Sequence, residues 1–125
     1  MDIIWFEKCS YKNKNLVGGK NASLGELKTL SKQLNFNIAD GFAITVNLYE
    51  KFIKRKQINK QIKKILKDVN VSDIEELNIV SSKIKDLITD NSLLQSEINC
   101  IVKNFEKLKS YYDNTIQVAV RSSAI

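Results

Sequence analysis

The sequence contains no histidine and no proline, only two cysteines, only four glycines, and two arginines against 18 lysines. Without histidine the chain can supply neither an imidazole base nor a phosphohistidine nor a His-ligated metal site. Cys9 and Cys100 stand 91 residues apart and form no Cys-x-x-Cys pair, so they read as bystander thiols of a reducing compartment. No apolar run approaches the roughly 18 residues that a spanning helix requires. The N-terminal Met-Asp-Ile-Ile-Trp-Phe carries an acid where a signal peptide wants positive charge. The expected location is therefore the cytoplasm, with no membrane partner.

What is present looks like an ordinary globular chain: 125 residues, 43% hydrophobic and 27% charged, with a formal charge of +6. That length suits one domain or a piece of a larger one, burying roughly two-thirds of its unfolded surface. Lys, Asn and Ile together make 47 of the 125 residues, a bias spread along the whole chain and typical of an A/T-rich genome. Against that background the basic charge selects no partner by itself, whereas each of the two arginines, Arg55 and Arg121, stands out.

Hydrophobic periodicity gives the order of elements. Ile3 to Phe6 reads as a strand, followed by a polar loop over Tyr11 to Asn15. A helix with Leu24, Leu27, Leu30 and Leu34 at three- and four-residue steps is expected to start between 20 and 23, with Asn21 as N-cap or Ser23 and Glu26 as a capping box. Gly25 inside it implies a close neighbour. Asp40-Gly41 marks a turn into a strand at Phe42 to Thr45. Thr45 can cap a helix with Leu48, Phe52 and Ile53, and a further helix carries Ile58, Ile62, Ile65 and Leu66. Ser72-Asp73-Ile74-Glu75 has capping-box spacing before a helix running to Ile88. A last helix is expected over about Ser92 to Tyr112, and Gln117 to Arg121 reads as a buried strand. The fold class is α/β or α+β, a small sheet with a helical insertion, in a single domain over residues 1–125.

Three constellations could carry chemistry. From Lys51 to Lys67 there are eight basic residues and no acid. Nucleic-acid surfaces add stacking aromatics, and only Phe52 lies nearby, on the apolar face, so a solvated helix face is the preferred reading. Gly18-Gly19-Lys20 precedes a helix and combines small residues with a cation, as a phosphate cradle does. It is neither a Walker A loop nor a G-x-G-x-x-G fingerprint, and a plain helix-entry turn would look the same. In Val118-Ala119-Val120-Arg121-Ser122-Ser123-Ala124, an Arg at a strand end with two hydroxyls suits an anion, since guanidinium offers bidentate donors.

Taken together, Leu16-Val17-Gly18-Gly19-Lys20-Asn21-Ala22-Ser23-Leu24-Gly25-Glu26-Leu27, Gly41-Phe42-Ala43-Ile44-Thr45 and Val118 to Ala124, with Trp5-Phe6 ahead of them, resemble the N-terminal ATP-binding domain of the phosphoenolpyruvate synthase (pyruvate, water dikinase) family. That family is related to pyruvate, phosphate dikinase and rifampin phosphotransferase. The resemblance covers essentially the whole chain in the correct order. It implies an ATP-grasp-like nucleotide-binding domain in which Lys20 and Arg121 contact the ATP phosphates, with Gly18, Gly19, Ser122 and Ser123 as neighbours. ATP and Mg2+ are the implied cofactors, with no metal ligands expected in this chain. The parent reaction converts ATP, pyruvate and water into phosphoenolpyruvate, AMP and phosphate.

Two departures qualify the resemblance. Ile125 stands where a Thr is expected, and Ala39-Asp40 where a Pro usually precedes the Gly-Phe strand. The metal-binding carboxylates, the phosphocarrier His and the pyruvate-binding barrel are expected in remaining dikinase domains, in cis or on a separate chain, so this chain alone is expected to bind ATP and catalyse nothing. The alternatives are a non-catalytic interaction module docking on the missing half, and, less favoured, a basic nucleic-acid-binding helical domain.

Overall fold

The computed structural model describes residues 1–112 and 116–124; Ile125 lies outside them. The elements are β1 (Ile3–Trp5), α1 (Lys14–Leu34), β2 (Phe42–Ile44), α2 (Val46–Arg55), α3 (Ile58–Leu66), α4 (Ile74–Thr89) and α5 (Gln95–Lys109), with 3-10 turns at Phe6–Lys8 and Tyr11–Asn13. Helices with one small antiparallel sheet make the class α+β. The chain forms two compact units, one from Met1–Leu48 with Gln95–Ile125 and one from Tyr49–Leu94.

In the first unit β1 and β2 pair in the register Ile3 with Ile44, Ile4 with Ala43, and Trp5 with Phe42. Alternation along so short a ladder turns Ile4 and Ala43 inward, where they join Cys9, Val17 and Ala22 in one core cluster. Thr45 extends the pairing: its N–H donates to Asp2 O at 2.9 Å and its hydroxyl to Met1 O at 2.9 Å, leaving it 1% exposed. Outside the ladder, Trp5 donates its indole N–H to Asn104 Oδ1 of α5 at 2.9 Å, while the Lys107 ammonium sits 4.8 Å from the ring centroid. A half-wet indole with a hydrogen-bonded N–H and a cation over its face ties α5 to the sheet.

α1 differs from the sequence expectation at both its start and its buried face. It begins at Lys14 and is broken at Gly18, whose φ of 78° and ψ of 165° are not helical. Asn21 is no N-cap, because its Nδ2 donates back to Val17 O at 2.7 Å. Ser23 and Glu26 form no capping box. Instead, Glu26 accepts the Tyr11 N–H at 3.1 Å and Ser23 Oγ lies 3.0 Å from the Tyr11 hydroxyl, so both serve the preceding 3-10 turn. The leucine stripe defines the helix without defining its buried side. Leu27, Leu30 and Leu34 are exposed, while Val17, Gly18, Ala22, Gly25 and Ser31 are buried. Small residues face inward because the backbone at Cys9 lies directly on α1. A Cβ added to Gly25 would overlap the Cys9 carbonyl oxygen and come within 2.7 Å of the Cys9 side chain. Both cysteines are free, and burial pushes the Cys9 thiol up to about 11, consistent with an inert packing role.

In the second unit α3 and α4 pack together. The cap of α4 is Asp73 rather than Ser72: its Oδ1 accepts the N–H groups of Glu75 at 2.9 Å and Glu76 at 3.1 Å. A carboxylate satisfies two orphan donors and also complements the helix dipole, so it outcompetes the adjacent hydroxyl. The lysines of the 51–67 run are exposed, as a solvated face requires.

α5 is shorter at both ends than the periodicity implied, and the segment 117–121 is no strand. The β1–β2 ladder takes up neither edge of it, and an unpaired segment leaves its side chains in solvent; Val120 is 92% exposed. Arg121 is therefore presented from an exposed segment, not from a buried strand.

Two consequences can be measured. Gly25→Ala forces a Cβ into the Cys9 backbone and is expected to destabilise the fold by about 1–3 kcal/mol or more, read from chemical denaturation. Asp73→Ala is expected to cost about 1 kcal/mol, with fraying confined to the first turn of α4.

Candidate functional site

The break at Gly18 turns the chain before α1 continues, so the amides of Gly19 and Lys20 lie at the N-terminal end of the longer helical stretch, 19–34. Amides at such an end have no helical partner of their own. One is taken by the far end of the chain: Gly19 N–H donates to Ala124 O at 3.2 Å. Next to it, Lys20 Nζ donates to Ser122 O at 3.3 Å. Between these two bonds Ser123 lies against Gly18, and its Oγ is buried without a hydrogen-bond partner among the described residues.

Five of the six residues singled out by sequence, Gly18, Gly19, Lys20, Ser122 and Ser123, thus meet in space although about 100 positions separate the two motifs. Arg121, the sixth, immediately precedes the docked stretch and is exposed, as is Lys20. The contact is made by backbone, by small residues and by the Lys20 ammonium, and Lys20 and Arg121 both remain exposed. Lys20 and Arg121 thus lie on segments that meet, and side chains of this kind can form charge-assisted hydrogen bonds with an anion. Among the described residues no three of Cys, Asp and Glu converge as metal ligands.

A second polar cluster went unnoticed in the sequence. Lys28 Nζ lies 2.6 Å from Asp40 Oδ1 and donates to Ile38 O at 3.1 Å. The Tyr112 hydroxyl donates to Asp40 Oδ2 at 3.0 Å and accepts the Asp40 N–H at 3.1 Å. These residues, with Asn37 and Ala39, line an open cavity of about 480 Å³. The hydrogen bond from Lys28 holds the Asp40 carboxyl below its ordinary value, with smaller help from Tyr112 and Lys32. Sequence could assign Asp40 only to a turn, since nothing local pairs it with a tyrosine 72 positions away. The Lys28 ammonium, the Asp40 carboxylate and the Tyr112 hydroxyl are each engaged by another member, which makes the cluster a latch between the β2 entry and the end of α5.

A depressed carboxylate stabilises the fold above its unfolded value near 4, and that contribution disappears as pH falls through the lower folded value. Acid titration of wild type against Asp40→Asn should therefore give stability curves that differ at neutral pH and converge below about pH 4.

Residues 14–125 match the family model described as the pyruvate phosphate dikinase AMP/ATP-binding domain. A phosphoenolpyruvate synthase of Helicobacter pylori is 35% identical over 123 residues, covering 98% of this chain and 15% of the relative. The Aquifex aeolicus and Escherichia coli phosphoenolpyruvate synthases are each 30% identical, again over 98% of this chain and 14% and 15% of their own lengths. The chain thus spans about one-seventh of the curated relatives it matches. With the family model covering nearly all of it, the chain belongs to the pyruvate phosphate dikinase AMP/ATP-binding domain family.

Proposed function

We propose that residues 1–125 form the N-terminal part of an ATP-grasp-like nucleotide-binding domain, and that Lys20 and Arg121 bind the ATP phosphates. The observation that carries this reading is the seating of Ser122–Ala124 on the Gly18–Lys20 turn, which brings two cation-bearing motifs to one locus. Lys20 contributes a compact charge on a flexible stem, and Arg121 a planar fork that can engage two oxygens at once. Together they offset negative charge on a phosphoryl group as it transfers. Ser122 and Ser123 stand as neighbours able to add single hydrogen bonds. Mg2+, when bound with the nucleotide, would supply further charge neutralisation through ligands outside the described residues.

In the parent enzyme the reaction would be that of a phosphoenolpyruvate synthase: ATP, pyruvate and water give phosphoenolpyruvate, AMP and phosphate. A chain with no histidine contributes nucleotide binding to that sequence, and other dikinase domains, in cis or on a separate chain, contribute the phosphocarrier and the pyruvate site. Such an enzyme would work in the cytoplasm. On its own this segment is expected to bind ATP weakly and to release no AMP in the presence of pyruvate.

Titration of the chain with ATP checks the assignment. Lys20→Ala and Arg121→Ala should each weaken binding about tenfold or more, the usual cost of a lost charge-assisted bond. Unchanged affinity in both variants would remove the site.

A further inference from the structure

A glycine pair before a helix is commonly explained by the ligand, whose phosphate approaches backbone that no side chain covers. At Gly18 that explanation meets an obstacle, because the space its side chain would occupy is filled by protein. A Cβ there would overlap Ser123 Oγ and lie 2.6 Å from Ser123 O and 2.7 Å from Ala124 O. We propose that Gly18 is a positioning residue: its missing side chain seats the 122–124 segment on the turn and so sets Arg121 beside Lys20. The functional half of this inference rests on the phosphate reading above; the structural half does not.

The two glycines separate cleanly on geometry. Gly18 has a φ of 78°, a conformation that favours glycine, and is buried under three atoms of the docked segment. At Gly19, by contrast, a Cβ would meet only the Lys14 side chain at 3.7 Å, an ordinary contact. The Gly19 amide is already donated to Ala124 O. Glycine at position 18 is therefore demanded twice, by its backbone conformation and by the second motif that fills the space of a side chain. Ser123 makes the same point from the other side. Its buried hydroxyl has no hydrogen-bond partner among the described residues, an unfavourable arrangement that persists only when the surrounding contacts fix the chain. Those contacts are the bonds on either side of it, from the Gly19 amide to Ala124 O and from Lys20 Nζ to Ser122 O. Because Arg121 is bonded directly to Ser122, seating the one locates the other. Gly18 thereby acts on the nucleotide through Arg121 and need not touch it.

The test begins without nucleotide, on the 125-residue chain, by hydrogen exchange of the amide at position 19 and the amide signals of 122–124. Gly18→Ala should accelerate that exchange at least tenfold and shift the 122–124 signals, while Gly19→Ala leaves protection within about threefold. Gly18→Asn carries the same Cβ on a backbone of φ 78° and ψ 165° that glycine alone adopts readily, so it should also lose protection. The Trp5 indole N–H signal, which reports the bond to Asn104, shows whether the unit is still folded in each variant. Retained protection in Gly18→Ala, or equal loss in Gly18→Ala and Gly19→Ala, would overturn the proposal. In the ATP arm, Arg121→Ala should cost less than twofold in a Gly18→Ala background while Lys20→Ala keeps its effect; a full Arg121 effect in that background overturns it. Exchange protection lost as expected, with ATP affinity indifferent to both Lys20→Ala and Arg121→Ala, upholds the seat and sinks the phosphate reading instead.

Discussion

Close approach of backbone to backbone governs the first unit. At two points on α1 another stretch of main chain lies where a side chain would otherwise stand: Cys9 on Gly25, and Ser123 with Ala124 on Gly18. The first contact presses the β1–α1 connection onto the helix and explains why its buried face is built from Val17, Ala22, Gly25 and Ser31 rather than from leucines. The second joins the two motifs. Dense packing of this kind transmits small volume changes, since interiors have no slack for an added methyl group. The segments that carry Lys20 and Arg121 meet where Gly18 leaves room for the chain.

Energetically the unit relies on a few long-range ties of different character. The apolar cluster of Ile4, Cys9, Val17, Ala22 and Ala43 is small. It is supplemented by the Trp5–Asn104 hydrogen bond with its overlying Lys107 and by the Lys28–Asp40–Tyr112 latch. Both ties fasten α5 or its end to the sheet region. Neither is a bare surface ion pair, which would contribute little; each combines charge with an aromatic group or with several hydrogen bonds.

Much of this was legible in the sequence, for identifiable reasons. The strands at 3–6 and 42–45, the four helices after them and the close neighbour at Gly25 follow from periodicity, turn residues and an otherwise costly mid-helix glycine. The two motifs that carry the family resemblance were recognisable by their residue types and order. Other features were hidden. Ser23 with Glu26 has capping-box spacing but serves Tyr11, because the sequence does not say which turn a hydroxyl and carboxylate will reach. Asp73 displaces Ser72 as cap because neighbouring candidates compete on geometry. Val118-Ala119-Val120 has the composition of a buried strand, yet strandness requires an edge to pair with, and local sequence cannot supply one.

The first unit is discontinuous: its two parts are joined through the 46 residues of Tyr49–Leu94. Bringing Trp5 to Asn104 and Lys20 to Ser122 closes loops of about 100 residues, whose entropy cost grows only logarithmically with length. Lengthening or shortening the intervening helical segment is therefore thermodynamically cheap for the unit, costing about 0.6 kcal/mol per doubling. The segment 49–94 is in that sense a permissive insertion for the unit that flanks it in sequence. The same topology sets a kinetic limit, because no local contact can assemble the locus before the chain has closed on itself.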